Sequence, residues 1–162
     1  MKHYKAPWGR TLVIMSVLAT LLCAGIPLRM WTFLCAHGTK LPFWIGFPIL
    51  LLVPVCALFI VHGYTITPDE ILIHRPFWST RLPRAGLLSA TASPKAMRGS
   101  IRTCGNGGFF SFTGFYWSKS LGAYHAYVTN LRLTVVLRFA SRTVVVSPDD
   151  PEGFARSLNP DP

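Results

Sequence analysis

Apolar residues run continuously through the first part of this chain and alternate with polar ones in the second. Thr11 to Leu28 (TLVIMSVLATLLCAGIPL) and Leu41 to Val61 (LPFWIGFPILLLVPVCALFIV) contain no charged residue. Neither carries the polar stripe of a helix lying on a soluble core, so each reads as apolar all round. Each comes close to the roughly 20 residues with which a helix crosses about 30 Å of hydrocarbon. The pattern predicts two membrane spans, about 11–28 and 41–61, joined by a short loop. Trp8, Trp31 and Trp44 fall near their ends, where indole rings favour the interface. Pro48 and Pro54 lie inside the second span, where neighbours can re-satisfy the carbonyls they free. A signal peptide competes for the first segment, with Lys2 to Arg10 as its basic region. The second long apolar segment and the lack of an A-x-A site just past Leu28 argue against it.

From Gly63 the period changes. Ile71 and Ile73 alternate with Glu70, Leu72 and His74, and Leu133, Val135, Leu137 and Phe139 alternate with Arg132, Thr134 and Arg138. A period of two predicts half-buried strands. Ala140–Ser141 then turns into the β-branched run Thr143 to Val146, which completes a hairpin. Leu121 to Thr129 reads as a third strand, and Thr67-Pro68-Asp69 as a turn between two opening strands. Gly105-Asn106-Gly107-Gly108 predicts a loop with unusual backbone angles. It is no phosphate loop, since no Lys-Ser/Thr pair follows it. Ser147 to Glu152 has the acids and prolines of a helix start, and Phe154 and Leu158 fall on one face of that helix. The predicted fold is a membrane α-helical hairpin, 1–62, followed by a mainly-β domain, 63–162. Its antiparallel strands form a partly open barrel that a C-terminal helix caps.

Charge follows the same division. No Asp or Glu precedes Asp69, and all six acids lie in the second part. The net charge is +10, and the second part holds eleven basic residues against six acids. Lys2, Lys5 and Arg10 precede the first span, Arg75, Arg81 and Arg84 follow the second, and the connecting loop holds Arg29 and Lys40. The positive-inside bias places both termini in the cytoplasm, at the cell's inner membrane. A basic membrane protein owes its charge to topology and to anionic lipid, so nucleic acid is not an expected partner. Neither span contains an ionisable side chain, which argues against an ion or proton path through this hairpin.

Candidate chemistry is sparse. Cys23 and Cys56 differ in predicted height by roughly 10 Å at 1.5 Å per residue, too far for a bridge. Cys35 belongs to the external loop and Cys104 to the cytoplasmic part. No spacing resembles a metal site, so no metal or cofactor is expected. Of the histidines, His3 falls in the N-terminal tail, His37 in the external loop and His62 at the interface, while His74 and His125 fall on predicted strands. No G-x-S-x-G or H-E-x-x-H motif is present, and no catalytic residue is expected. The basic residues Arg75, Arg81, Arg84, Lys95, Arg98 and Arg102 follow one another with no acid between the first and last. The five arginines are the candidate contacts for lipid or a partner. The strand from Ile71 should bring Arg75 back to the membrane side, with Arg81 and Arg84 close by. The run Phe109, Phe110, Phe112, Phe115, Tyr116 and Trp117 is denser than one strand face buries, so part of it should meet lipid or a partner.

From Gly63 to about Leu158 the sequence resembles the bacterial pleckstrin-homology-like domains of small two-pass membrane proteins. The resemblance rests on Tyr64-Thr65-Ile66-Thr67 with Ile71-Leu72-Ile73, on Gly105 to Ser111 through Gly114, and on Leu121-Gly122-Ala123-Tyr124 with Tyr127-Val128-Thr129. Val144 to Phe154 completes it. It implies a PH-like fold rather than a reaction. Animal domains that bind phosphoinositides carry basic residues around the first hairpin turn, whereas here the turn is Thr67-Pro68-Asp69-Glu70, and Phe154 stands where their helix usually has Trp. The function expected is a non-catalytic, membrane-anchored interaction or scaffold module with anionic lipid as a non-specific partner, and with a protein partner or a second copy of the chain. The alternative is an accessory subunit of a membrane transporter or a small membrane enzyme.

Overall fold

The computed structural model describes residues 1–36 and 41–159. His37, Lys40, the Trp44 side chain and Asp161 lie outside the described residues. The two apolar segments form helices α1 (Arg10–Cys35) and α2 (Leu41–Ala57). Each differs in length from the sequence expectation. α1 runs on past Leu28 because one arginine does not stop a helix, and the Thr32 hydroxyl donates back to the Arg29 carbonyl at 2.9 Å. α2 stops four residues before Val61. Its end tightens into short-range bonds, from Phe59 N–H to the Cys56 carbonyl and from Ile60 N–H to that of Ala57. Arg10–Phe33 is long and apolar enough to cross a membrane, while Gly46–Ala57 is a shorter apolar helix.

The N-terminal tail, read from sequence as the basic flank of the first span, is a strand. β1 (Lys2–Lys5) pairs antiparallel with β2 (Gly63–Ile66), Lys5 facing Gly63 and Lys2 facing Ile66. β3 (Glu70–His74) and β4 (Ser79–Pro83) complete a four-stranded sheet in the order β1-β2-β3-β4. Side chains of Ile71, Ile73 and Leu82 point inward and are fully buried, as the alternation predicts.

A second sheet contains β5 (Leu87–Ala92), β6 (Ile101–Gly107), β7 (Phe112–Ser118), β8 (Gly122–Val128), β9 (Val135–Phe139) and β10 (Thr143–Val146). Their order is β5-β9-β10-β8-β7-β6. β9 and β10 form the expected hairpin. The β10–β8 pair runs parallel, unlike the other pairs of either sheet. The Gly105–Gly107 stretch, expected to be a loop, belongs to β6. Gly105 and Gly114 face each other at φ +116° and +130°, and a Cβ on Gly114 would come within 2.3 Å of the Cys104 carbonyl oxygen. Glycine here lets two strands approach closely instead of ending one.

The sheets do not close into a barrel. Between them lies one apolar cluster containing Tyr64, Ile71, Ile73, Val135, Leu137, Val144 and Val146. The C-terminal helix α3 (Pro151–Leu158) caps it with Phe154 and Leu158, both buried, and the Asp150 side chain caps the helix start by accepting from Gly153 N–H. A second cluster lies on the other face of the six-stranded sheet, where Leu12 of α1 and Met97 cover Tyr124, Ala126, Val136 and Val145. This explains why Val144 to Val146 do not alternate with polar residues: that strand is covered on both faces.

Candidate functional site

Three segments meet where the helices join the β domain. Directly after α2, the Phe59 carbonyl accepts from the Ser111 hydroxyl at 3.1 Å. The turn between β6 and β7 reaches α1, where Ser16 Oγ donates to the Gly108 carbonyl and accepts from Phe110 N–H. The turn between β3 and β4 brings Trp78 edge-on to Phe59, with ring centroids 5.5 Å apart. Trp8 lies beside Phe110, which stacks on Phe109. Trp8, Phe59, Trp78, Phe109 and Phe110 thus gather at the helix ends. Phe77 is 79% exposed at its turn tip.

Between these segments opens a cavity of about 730 Å³. The end of α2 contributes Val55, Cys56 and Phe59, the β3–β4 side contributes Arg75, Trp78 and Thr80, and the other sheet contributes Arg102, Asn106, Thr113, His125 and Tyr127 among others. Arg75 is the centre of its charge. The guanidinium carbon lies 5.5, 5.6 and 5.3 Å from the ring centroids of Phe59, Trp78 and Tyr127. Such cation–π contacts contribute about 0.5–2 kcal/mol. They give no acceptor to the guanidinium N–H groups, and Arg75 Nε is buried without a hydrogen-bond partner. Among the described residues the ion pair that forms is Arg81 with Glu70, at 3.7 Å.

The surroundings respond to this cation. Burial lowers the Arg75 pKa. His125 stacks on Tyr127 at 4.5 Å and meets Phe115 at 4.6 Å. Its pKa is lowered, first by burial and then by Arg75 and Arg142. Burial also raises the Tyr127 phenol, against the pull of the same two arginines. The cavity is therefore positively biased, contains no carboxylate and is walled by aromatic rings.

Of the five arginines singled out from sequence, the fold brings two together. Arg75 and Arg102 line the cavity, one from each sheet. Arg102 also donates to the Gly105 carbonyl at 3.2 Å. The expectation that Arg81 and Arg84 accompany Arg75 is corrected by the run of β4, which carries the chain back toward the Thr67–Glu70 turn. Arg81 turns to Glu70. Arg84 donates to the carbonyls of Thr67, Pro68 and Leu158, fastening the hairpin turn to the end of α3. Arg98 is exposed in the segment between β5 and β6. His125 and Tyr127 joined the site without being foreseen. Their one signal was spacing, since residues two apart on a strand share a face.

Among the described residues no group of three His, Cys, Asp or Glu side chains gathers as a metal site would require. The four cysteines are free thiols. On the outer face of the four-stranded sheet a polar chain links His3 Nδ1 to Thr65 Oγ1 at 3.0 Å, Thr65 Oγ1 to His74 Nε2 at 2.8 Å, and His74 Nδ1 to Ser79 Oγ at 3.1 Å. His3 and His74 thereby hold strands together.

A family model described as a bacterial PH domain matches residues 62–161, which bears out the resemblance read from the sequence. No curated protein and no solved structure matches the chain.

Proposed function

Because the chain belongs to the bacterial PH domain family, we propose that it is a non-catalytic, membrane-anchored interaction module on the cytoplasmic face of the inner membrane. α1 and α2 both cross, and both termini are cytoplasmic. The observation that carries this reading is the pairing of β1 with β2, with Lys5 opposite Gly63. β1 precedes the helices and β2 follows them, so a membrane crossed by α1 has to be recrossed by α2. The 17 residues of α2 rise about 25 Å, a shortfall that local thinning of the bilayer accommodates.

Further support comes from the surface. α1 exposes Leu18, Leu21, Leu22, Ile26, Leu28 and Phe33, an apolar face that water would not tolerate. The aromatic cluster at the helix ends matches the belt that membrane proteins set at head-group depth. Arg75 and Arg102, beside the end of α2, add attraction to an anionic leaflet, at about 1 kcal/mol each. Phe115 and Trp117, exposed beside edge strand β6, offer a surface to a protein partner or a second copy.

The test is fractionation with topology reporters at each end. The full chain should resist a carbonate wash. A fluorescent reporter should be active at both ends, and a reporter that works only outside the membrane should be silent at both. Extraction by carbonate, or opposite reporter results at the two ends, overturns the reading. Stoichiometric co-purification with a transporter in mild detergent would favour the accessory-subunit alternative.

A further inference from the structure

We propose that the cavity between α2 and the two sheets is a binding site for one anionic phospholipid, whose phosphate is taken by Arg75 and Arg102. This rests on the membrane-anchored reading above and goes beyond it, because it replaces diffuse attraction with a built site. It lies at the opposite end of the β2–β3 hairpin from the acidic Thr67–Glu70 turn.

Three observations converge on it. The first is Arg75 itself, held among three rings with its Nε buried and unpartnered. The rings give the guanidinium no acceptor, and an anionic oxygen entering from the cavity that Arg75 lines would supply one. The second is the charge around it. Arg102 lines the same cavity from the other sheet, and no carboxylate lines it. Two guanidinium forks supplied by different sheets suit a phosphate group, which presents oxygens on more than one side. The third is the apolar wall. Val55, Cys56 and Phe59 come from the end of α2, so the cavity continues into the surface along which acyl chains would lie. The approximately 730 Å³ is ample for a head group with the first carbons of its chains. A soluble phosphate would use the arginines and leave that apolar wall without a role.

The experiment uses the full chain in a mild neutral detergent, with bound molecules counted by native mass spectrometry. It is titrated separately with dioleoyl phosphatidylglycerol, dioleoyl phosphatidylcholine and inorganic phosphate. One phosphatidylglycerol should be retained at concentrations where phosphatidylcholine is not. Arg75→Gln should weaken retention at least about tenfold, the effect of one charge-assisted hydrogen bond. Arg102→Gln, on an exposed edge strand, should weaken it too and serves if Arg75→Gln does not fold. The double variant Arg81→Gln/Arg98→Gln should retain lipid as the wild type does. Equal retention of phosphatidylcholine, unchanged retention in both Arg75→Gln and Arg102→Gln, or equal loss in the double variant overturns the site. Inorganic phosphate binding as tightly as the lipid would make it a phosphate site and overturn the lipid assignment. A membrane-extracted chain would instead sink the anchored reading, through the separate carbonate wash.

Discussion

Lys5 and Gly63 face each other across two antiparallel strands although the entire helical pair lies between them in the chain. Around that pairing the N-terminal residues are stitched to the β domain. Lys5 N–H donates to the Asp149 carboxylate at 3.1 Å, and the Lys5 carbonyl accepts from Asp149 N–H at 2.9 Å. Gly9 N–H donates to the Thr129 carbonyl at 2.9 Å, and the Thr129 hydroxyl donates to that of Pro7 at 3.0 Å. The Tyr4 hydroxyl reaches the Gly153 carbonyl of α3. Removing residues 2–5 should therefore destabilise the β domain rather than merely shorten a tail. Proteolysis in detergent should cut the truncated chain faster within 63–159. An unchanged cleavage rate would show β1 to be dispensable.

Phe154 fills the open end between the sheets with no exposed surface and meets Tyr4 and Tyr64 edge-on. Phe154→Ala should cost about 3–5 kcal/mol, the usual loss for emptying a large aromatic site. Chemical denaturation of the detergent-solubilised chain would measure it. A loss under 1 kcal/mol would mean that the helix does not act as the cap.

Tyr64 is fully buried, yet its hydroxyl is paired on both sides. It donates to the Tyr127 carbonyl at 2.7 Å and accepts from Ser147 N–H at 3.1 Å. Burial pushes its pKa up to about 12. Tyr64→Phe keeps the ring and leaves two buried backbone groups short of a partner, at a cost of about 1–3 kcal/mol. The same denaturation measurement checks this, and a neutral result would imply that water replaces the hydroxyl.

The histidines predict how stability varies with pH. Burial is the first cause that lowers both His74 and His125, with His3 adding for the former and Arg75 and Arg142 for the latter. A folded-state pKa below the ordinary 6.5 means that the unfolded chain takes up protons first as pH falls. Stability should be full above that value, decline as pH drops through it, and level off below the folded-state values. His125→Gln should flatten part of this decline in melting curves taken between about pH 7.5 and 4.5. A wild-type stability that rises on acidification would contradict the assignment.

Gly114 sits at φ +130° with the Cys104 carbonyl where its Cβ would be. Gly114→Ala should part β6 from β7 and remove the wall that carries Arg102. Amide exchange in β6 would report it, with faster exchange expected for Cys104 to Gly107. Unchanged protection would mean that the backbone can shift without losing the pair.

Elements whose signal is local are legible in the chain before it folds. A charge-free run is apolar whatever surrounds it, so α1 and α2 were legible from composition alone. The alternation through Ile71 and Ile73 fixed the inward face of β3, because side chains two apart on a strand share a face. Asp150, Pro151 and Phe154 marked α3 through capping chemistry and helical spacing. Other features depend on contacts between distant residues. Lys2 to Lys5 carry no strand period of their own and are a strand because β2 offers an unpaired edge. Gly105 reads as a loop until Gly114 stands opposite it. The site is the clearest case. Arg75 was visible as a charge near a helix end, but its isolation follows from Phe59, Trp78 and Tyr127, which come from three separate stretches of chain. Charge and hydrophobicity are properties of residues, whereas desolvation and the absence of a partner are properties of their neighbours, and the fold alone chooses those.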